Sequence, residues 1–109
     1  MSEFRQKELE QKIGYVFRSP AMLMQAMCHS SYANEHKPTL RDNERLEFLG
    51  DAVLEVISSD FLYHNYPELP EGKLTKLRAS IVCEPTLALC ARAFDLDKYL
   101  LLGRGEEMT

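Results

Sequence analysis

One stretch constrains this chain more than any other. From Asn43 to Asn65 it runs without a proline and with a single glycine, Gly50, before Tyr66-Pro67 closes it. A polar lead, Thr39-x-x-Asp42, has the form of a capping box, and Asn43 is a rival cap. The segment therefore predicts one long helix. In a chain of 109 residues that helix must be the spine of a single domain. The remaining punctuation is also helical. Phe4, Leu9 and Ile13 fit a first helix ending at Gly14. Ser19-Pro20 pairs an N-cap with proline at the first helical position, with Leu23, Met24 and Met27 inward. His29–Pro38 is polar and reads as turns. Pro70-Glu71-Gly72 opens another helix with Leu74, Leu77 and Ile81 on one face, and Glu84-Pro85 separates it from a last helix carrying Leu87, Ala91 and Phe94. No strand alternation is present, so the expected class is all-α. The apolar run Tyr99–Leu102 lies close to the end of the sequence and calls for something to cover it, either further chain or a partner.

The long segment also holds the candidate chemistry. At about 100° per residue from Glu44, Glu47 falls near −60°, Asp51 near −20° and Glu55 near +20°. Leu46, Leu49, Val53, Val56 and Ile57 occupy the opposite side, as an expected core stripe. Helices relieve such acidic stripes with Lys or Arg one turn away, yet none occurs between Arg45 and Lys73. Two carboxylates about 4 Å apart repel by about 4 kcal/mol at an effective dielectric near 20. Solvent, protonation or a cation must offset that. Oxygen-only ligands favour Mg²⁺ or Mn²⁺. A solvated acidic face is the plain alternative. Against it stands Gly50, which costs about 1 kcal/mol in a helix interior and is tolerated where a backbone or ligand comes close. Phe48, near +40°, sits beside the acids and away from the core stripe, which fits either another helix of the domain or a second subunit.

Charge narrows the function. With 13 basic and 17 acidic side chains the net charge is −4, unlike a protein that holds nucleic acid mainly through phosphates. A bound cation inverts that local sign, so a metal-dependent enzyme is still compatible. Lys73, Lys76 and Arg78, next to Glu71, form a small basic edge, which is either a solvated face or a contact for nucleic-acid phosphates. No histidine has the Glu-x-x-His spacing of a di-iron bundle, so His29 reads as a structural residue. Cys28, Cys83 and Cys90 are odd in number and lack CxxC spacing, which disfavours disulfides and zinc. Cys83 and Cys90, like Met22, Met24 and Met27, are expected to pack as apolar residues. The N-terminus has no apolar signal region and no run reaches membrane-spanning length, so a cytoplasmic location without membrane contact is expected.

The run Asn43-Glu44-Arg45-Leu46-Glu47-Phe48-Leu49-Gly50-Asp51-Ala52-Val53-Leu54 closely resembles the signature of the ribonuclease III endonuclease domain. His29–Glu35 and Pro70–Ala79 resemble that family's other motifs, in the same order. The resemblance covers essentially residues 1–109 as the N-terminal part of the domain, with no double-stranded-RNA-binding domain. It implies an all-helical fold, a homodimer, and Mg²⁺-dependent cleavage of double-stranded RNA leaving short 3′ overhangs. Ribosomal RNA precursors are among the substrates it implies, and no organic cofactor is needed. Residue by residue, Glu47 matches a metal ligand, and Asp51 a catalytic and metal-binding aspartate. Glu44 and Glu71 match catalytic-site acids, and Phe48 an aromatic that inserts into the partner subunit. The family's pattern continues with an Asp and a Glu at i, i+3 on a later helix. This sequence ends at Thr109 without them, so the alternative is a non-catalytic RNA-binding or dimerisation module.

Overall fold

Leucine 9 shows where the first half of the chain finds its core. In the computed structural model, which describes residues 5–36 and 40–104, it is 1% exposed. It lies on α1 (Gln6–Ile13), which ends at Gly14 in the left-handed region, φ 73°. Phe4, expected on the same helix, lies outside the described residues, as does Thr39. Helix α2 (Pro20–Ala26) starts as its sequence predicts, with the Ser19 hydroxyl accepting from the Met22 amide at 3.2 Å. Leu9 packs with Leu23, Met27 and Tyr99.

His29–Pro38 is not all turns. It holds a short helix, α3 (Ser30–Glu35), begun by His29 Nδ1 accepting from the Ser31 amide. Its polar side chains serve the cap, while Tyr32 and Ala33 turn inward against Cys28 and Leu101. Two buried neighbours are too few to show a period.

The remaining elements are α4 (Glu44–Asn65), α5 (Glu71–Ile81), α6 (Glu84–Ala93) and a 3₁₀ turn, Leu96–Tyr99. Glu84 and Pro85 form the first turn of α6 rather than a separator, because Pro is favoured there and Cys83 is the cap residue. Asp95 takes a left-handed φ of 54° and bonds Lys12 at 2.8 Å. That hydrogen bond holds the Asp95 carboxyl below its ordinary range and Lys12 above its own.

Two expectations about apolar residues are corrected. Tyr99–Leu102 is covered by the chain itself at alternate residues: Tyr99 and Leu101 are 4% and 6% exposed, while Leu100 is 37% exposed. Leu101 donates to Met27 O at 2.8 Å and accepts from the His29 amide at 3.0 Å, an isolated parallel bridge rather than a strand. The α4 stripe, by contrast, is not core. Leu49, Val53, Val56 and Ile57 are exposed and Leu46 is only half-buried. α4 buries only Ser58 and Leu62, which continue the acidic side of the helix, where α5 lies along it. Among the described residues nothing covers the other side, and the shape shows it. The principal extents are 52 × 25 × 23 Å, and the radius of gyration is 16.5 Å. A compact domain of this length has about 13 Å. Met22 and Cys90 are likewise exposed, and Cys83 is half-buried.

After Leu101 the chain is tied to α3. Gly103 N donates to Ser31 Oγ at 2.8 Å and Arg104 N to Glu35 Oε2 at 2.9 Å. A Cβ on Gly103 would meet Glu35 Oε2 at 2.7 Å and both Cβ and O of Ser31 at 2.9 Å. Gly103→Ala is therefore expected to cost about 1–3 kcal/mol. A chemical-denaturation midpoint unchanged from wild type would show that the contact yields freely.

Candidate metal and RNA site on the long helix

Helix α4 begins at a polar junction. Asp42 Oδ1 accepts from the Glu44 amide at 3.1 Å, which occupies one of the free amides of the first turn. Asn43 is the cap residue by position, but its side chain makes no capping bond. Glu44 and Glu47 follow in the first turn, where the positive end of the helix dipole favours carboxylates. Over about three turns Glu44, Glu47, Asp51 and Glu55 are all exposed. The four ion pairs among the described residues lie elsewhere, so no Lys or Arg neutralises this face there. Among the described residues, no group of three or more His, Cys, Asp or Glu is close enough to hold a metal ion. The helix itself offers pairs of carboxylates one turn apart, such as Glu47 and Asp51 at i, i+4.

Asp51 and Glu55 line a cleft of about 530 Å³ with Phe48, Ala52 and Leu54, closed by Val82 and Leu87 from the α5–α6 corner. Phe48 is 82% exposed, more than any other large apolar side chain among the described residues. It contacts the cleft wall without being covered, so a place in the domain core is excluded among these residues. Gly50 has open space around its missing Cβ, with no atom within 4 Å. The close backbone approach that would explain this glycine is thus not supplied by the described residues.

The structure separates Glu71 from the other acids. It lines a second cleft, of about 230 Å³, with Ser59, Leu62, Tyr63, Leu74, Thr75 and Arg78. The α4 wall of this cleft begins at Ser59, eight positions or about 12 Å along the helix from Asp51. Arg78 shares this second cleft, seven residues after Glu71, and its Nη1 donates to Ser59 Oγ at 2.9 Å. Lys73 and Lys76 are exposed, on a different side of α5. The three cations foreseen as one edge are therefore two exposed lysines and one arginine committed to the α4–α5 contact. A seven-residue spacing, Glu71 to Arg78, was the signal for this in the sequence.

Comparison with known proteins decides the family. Residues 19–109 match the Ribonuclease-III-like family. The chain belongs to the ribonuclease-III-like family. It is 56% identical over 104 residues to the Ribonuclease 3 of Geobacillus kaustophilus, covering 94% of this chain and 42% of that protein. With the Ribonuclease 3 of Enterococcus faecalis the identity is 59% over 103 residues, covering 94% and 45%. The chain thus spans less than half the length of these relatives. A crystal structure of the nuclease domain of ribonuclease III from Campylobacter jejuni superposes with a TM-score of 0.83 at 37% identity, over 96% of this chain and 68% of that one. A second, described for structural flexibility in its region of dimer formation, gives 0.81 at 39%, over 93% and 67%. The ribonuclease-III-like nuclease fold, all-α, is therefore established for this chain. No helix among the described residues is long and apolar enough to cross a membrane.

Proposed function

We propose that residues 1–109 are the N-terminal part of a nuclease domain that cleaves double-stranded RNA, as a homodimer with a divalent metal, Mg²⁺ or Mn²⁺, in the cytoplasm. Ribosomal RNA precursors fall within that substrate class. The observation that carries the reading is the exposed acidic face of α4, without an ion pair among the described residues, beside a Phe48 that none of those residues covers. A stripe of carboxylates without cations is unfavourable for its own sake, and an exposed phenylalanine next to it adds nothing to this chain's core.

The residues fit a metal as a partial ligand set. Glu47 and Asp51 would hold it, since carboxylate oxygens are the donors that Mg²⁺ and Mn²⁺ prefer. The chemistry such an ion would supply there is Lewis acidity for water activation and charge stabilisation at a departing oxygen. The chain's own groups do the rest. Glu44, one turn earlier on the same face, would orient water by accepting its hydrogen bonds. Lys73 and Lys76 neutralise phosphates along the strand, and Arg78 steadies α5 against α4 through Ser59. Glu71, on α5, lines a different cleft from Asp51, and a second copy of the chain would bring it toward the metal site. Phe48 is the residue offered to that copy. The duplex would be recognised by its shape and its 2′-hydroxyls, because the deep major groove of A-form RNA excludes side chains.

One observation favours a second reading, a non-catalytic RNA-binding or dimerisation module: the described residues do not assemble three metal-ligating groups. Mn²⁺ titration followed by electron paramagnetic resonance separates the two. In the metal reading wild type binds Mn²⁺ and Glu47→Gln weakens it by about tenfold or more. Wild type that binds no better than Glu47→Gln, and that leaves a long RNA duplex uncut in Mg²⁺, supports the module instead.

A further inference from the structure

Helix α4 carries the acidic face, yet among the described residues its first half is held only lightly by apolar contacts, Leu54 and Phe48 lining a cleft with Val82 and Leu87. Its buried residues, Ser58 and Leu62, lie in the second half, and among residues 44–57 only Leu46 and Leu54 are even half-buried. Something other than apolar packing must fix where Glu44, Glu47 and Asp51 point. The structure supplies it at one place. Asn43 Nδ2 donates to Ala26 O at 2.8 Å, the Asn43 amide donates to Cys28 O at 2.9 Å, and Gln25 Nε2 donates to Asp42 O at 3.1 Å. Ala26 and Cys28 stand at the C-terminal end of α2, where helix carbonyls have no partner within the helix. The Asn43 carbonyl in turn accepts from the Glu47 amide at 2.8 Å, so the tether runs directly into the first turn.

The side chain of Asn43 is diverted to do this. An asparagine at a helix start ordinarily accepts from an amide of the first turn. Here that task falls to Asp42, and the Asn43 amide group points back to α2. The same short segment, Met27–His29, also pairs with Leu101 on its other side. One hydrogen-bonded strip therefore carries both the origin of the acidic helix and the Leu101 segment.

We propose that Asn43 is a positioning residue: its carboxamide, held on the Ala26 carbonyl, sets the direction of the first three turns of α4 and so the placement of Glu47 and Asp51 toward a divalent cation. The part of this statement that concerns the cation rests on the metal reading above. The part that concerns the helix does not.

Two variants and two readouts test it. Asn43→Ala removes the donor and leaves the Asp42 cap in place. Amide hydrogen exchange from Glu47 to Asp51 is expected to quicken by about tenfold, while the amides of Leu23 and Leu62 keep their protection. Unchanged exchange at Glu47–Asp51, or equal loosening of every helix, overturns the proposal. Asn43→Asp keeps the shape, loses the donor and adds a negative charge beside the acids. Charge alone predicts tighter Mn²⁺ binding, whereas a lost tether predicts weaker binding, by about tenfold, with the thermal midpoint maintained. Tighter or equal Mn²⁺ binding in Asn43→Asp overturns the cation part. If the wild-type chain binds no Mn²⁺ at all, the metal reading fails, and the exchange experiment alone decides the role of Asn43 in the helix.

Discussion

The Asp51→Asn variant is expected to lose about 10²–10³-fold in cleavage of duplex RNA while unfolding at the wild-type temperature or slightly above it. The two halves of that expectation have different causes. Asp51 is exposed, makes no ion pair among the described residues, and shares its face with Glu44, Glu47 and Glu55. Surface changes away from a cap, a pair or a core usually stay within about 0.5 kcal/mol. Removing one charge from a repelling row moves stability upward, not down. Activity behaves otherwise because an amide is a far weaker partner for a hard cation than a carboxylate. In the metal reading, a row of acids that costs stability would be kept for chemistry, a common trade between the two. Single-turnover cleavage with matched thermal scans makes the check. Near wild-type cleavage would remove Asp51 from the reaction, and a large fall in the unfolding temperature would return it to a structural role.

Phe48→Ala is expected to raise the dissociation constant of the dimer by about 30-fold or more while the helical content of the monomer stays constant. An aromatic anchor that fills a partner's pocket commonly costs at least about 2 kcal/mol on truncation, which is that factor. The observation behind it is the 82% exposure of Phe48 at the mouth of an apolar-walled cleft with Val82 and Leu87. Truncation removes no contact from the core of the described chain, so monomer stability has little to lose. Sedimentation equilibrium across a concentration series measures both quantities. An unchanged dissociation constant would mean that Phe48 is covered by something other than a second copy.

Much of the fold was legible because local rules act within one turn of helix. Ser19-Pro20, Gly14, Tyr66-Pro67 and Pro70 mark ends, and each end lies where the sequence puts it, within a residue or so. The short helix at Ser30–Glu35 was not legible, since six residues with two buried side chains show no period. The candidate site was half legible. Periodicity along α4 put Glu44, Glu47 and Asp51 on one face and Phe48 away from the apolar stripe; all four are exposed, but so is most of that stripe, so exposure does not tell the two faces apart. Periodicity could not say that α5 would lie on the acidic side of α4, because that depends on the loop between them and on Ser58 and Leu62. For the same reason Arg78 was grouped with Lys73 and Lys76, although it bonds Ser59. The role of Asn43 was hidden more deeply. As a helix-start asparagine it reads as a cap, and only the approach of Ala26 O shows where its amide group goes.

By itself, then, the sequence determined the class, most helix ends and the one-sided row of acids, which follow from spacing and side-chain chemistry along a single backbone, while the family came from the resemblance of Asn43–Leu54 to a known signature. Tertiary structure alone decided which faces are covered. It buried Tyr99 and Leu101, left Leu49, Val53, Val56 and Ile57 in the open, and put Glu71 at the far end of α4 from Glu44. The reason is physical: a helix specifies an apolar stripe from its own residues, but burial is a property of two surfaces, and the second one comes from wherever the rest of the chain is brought to rest.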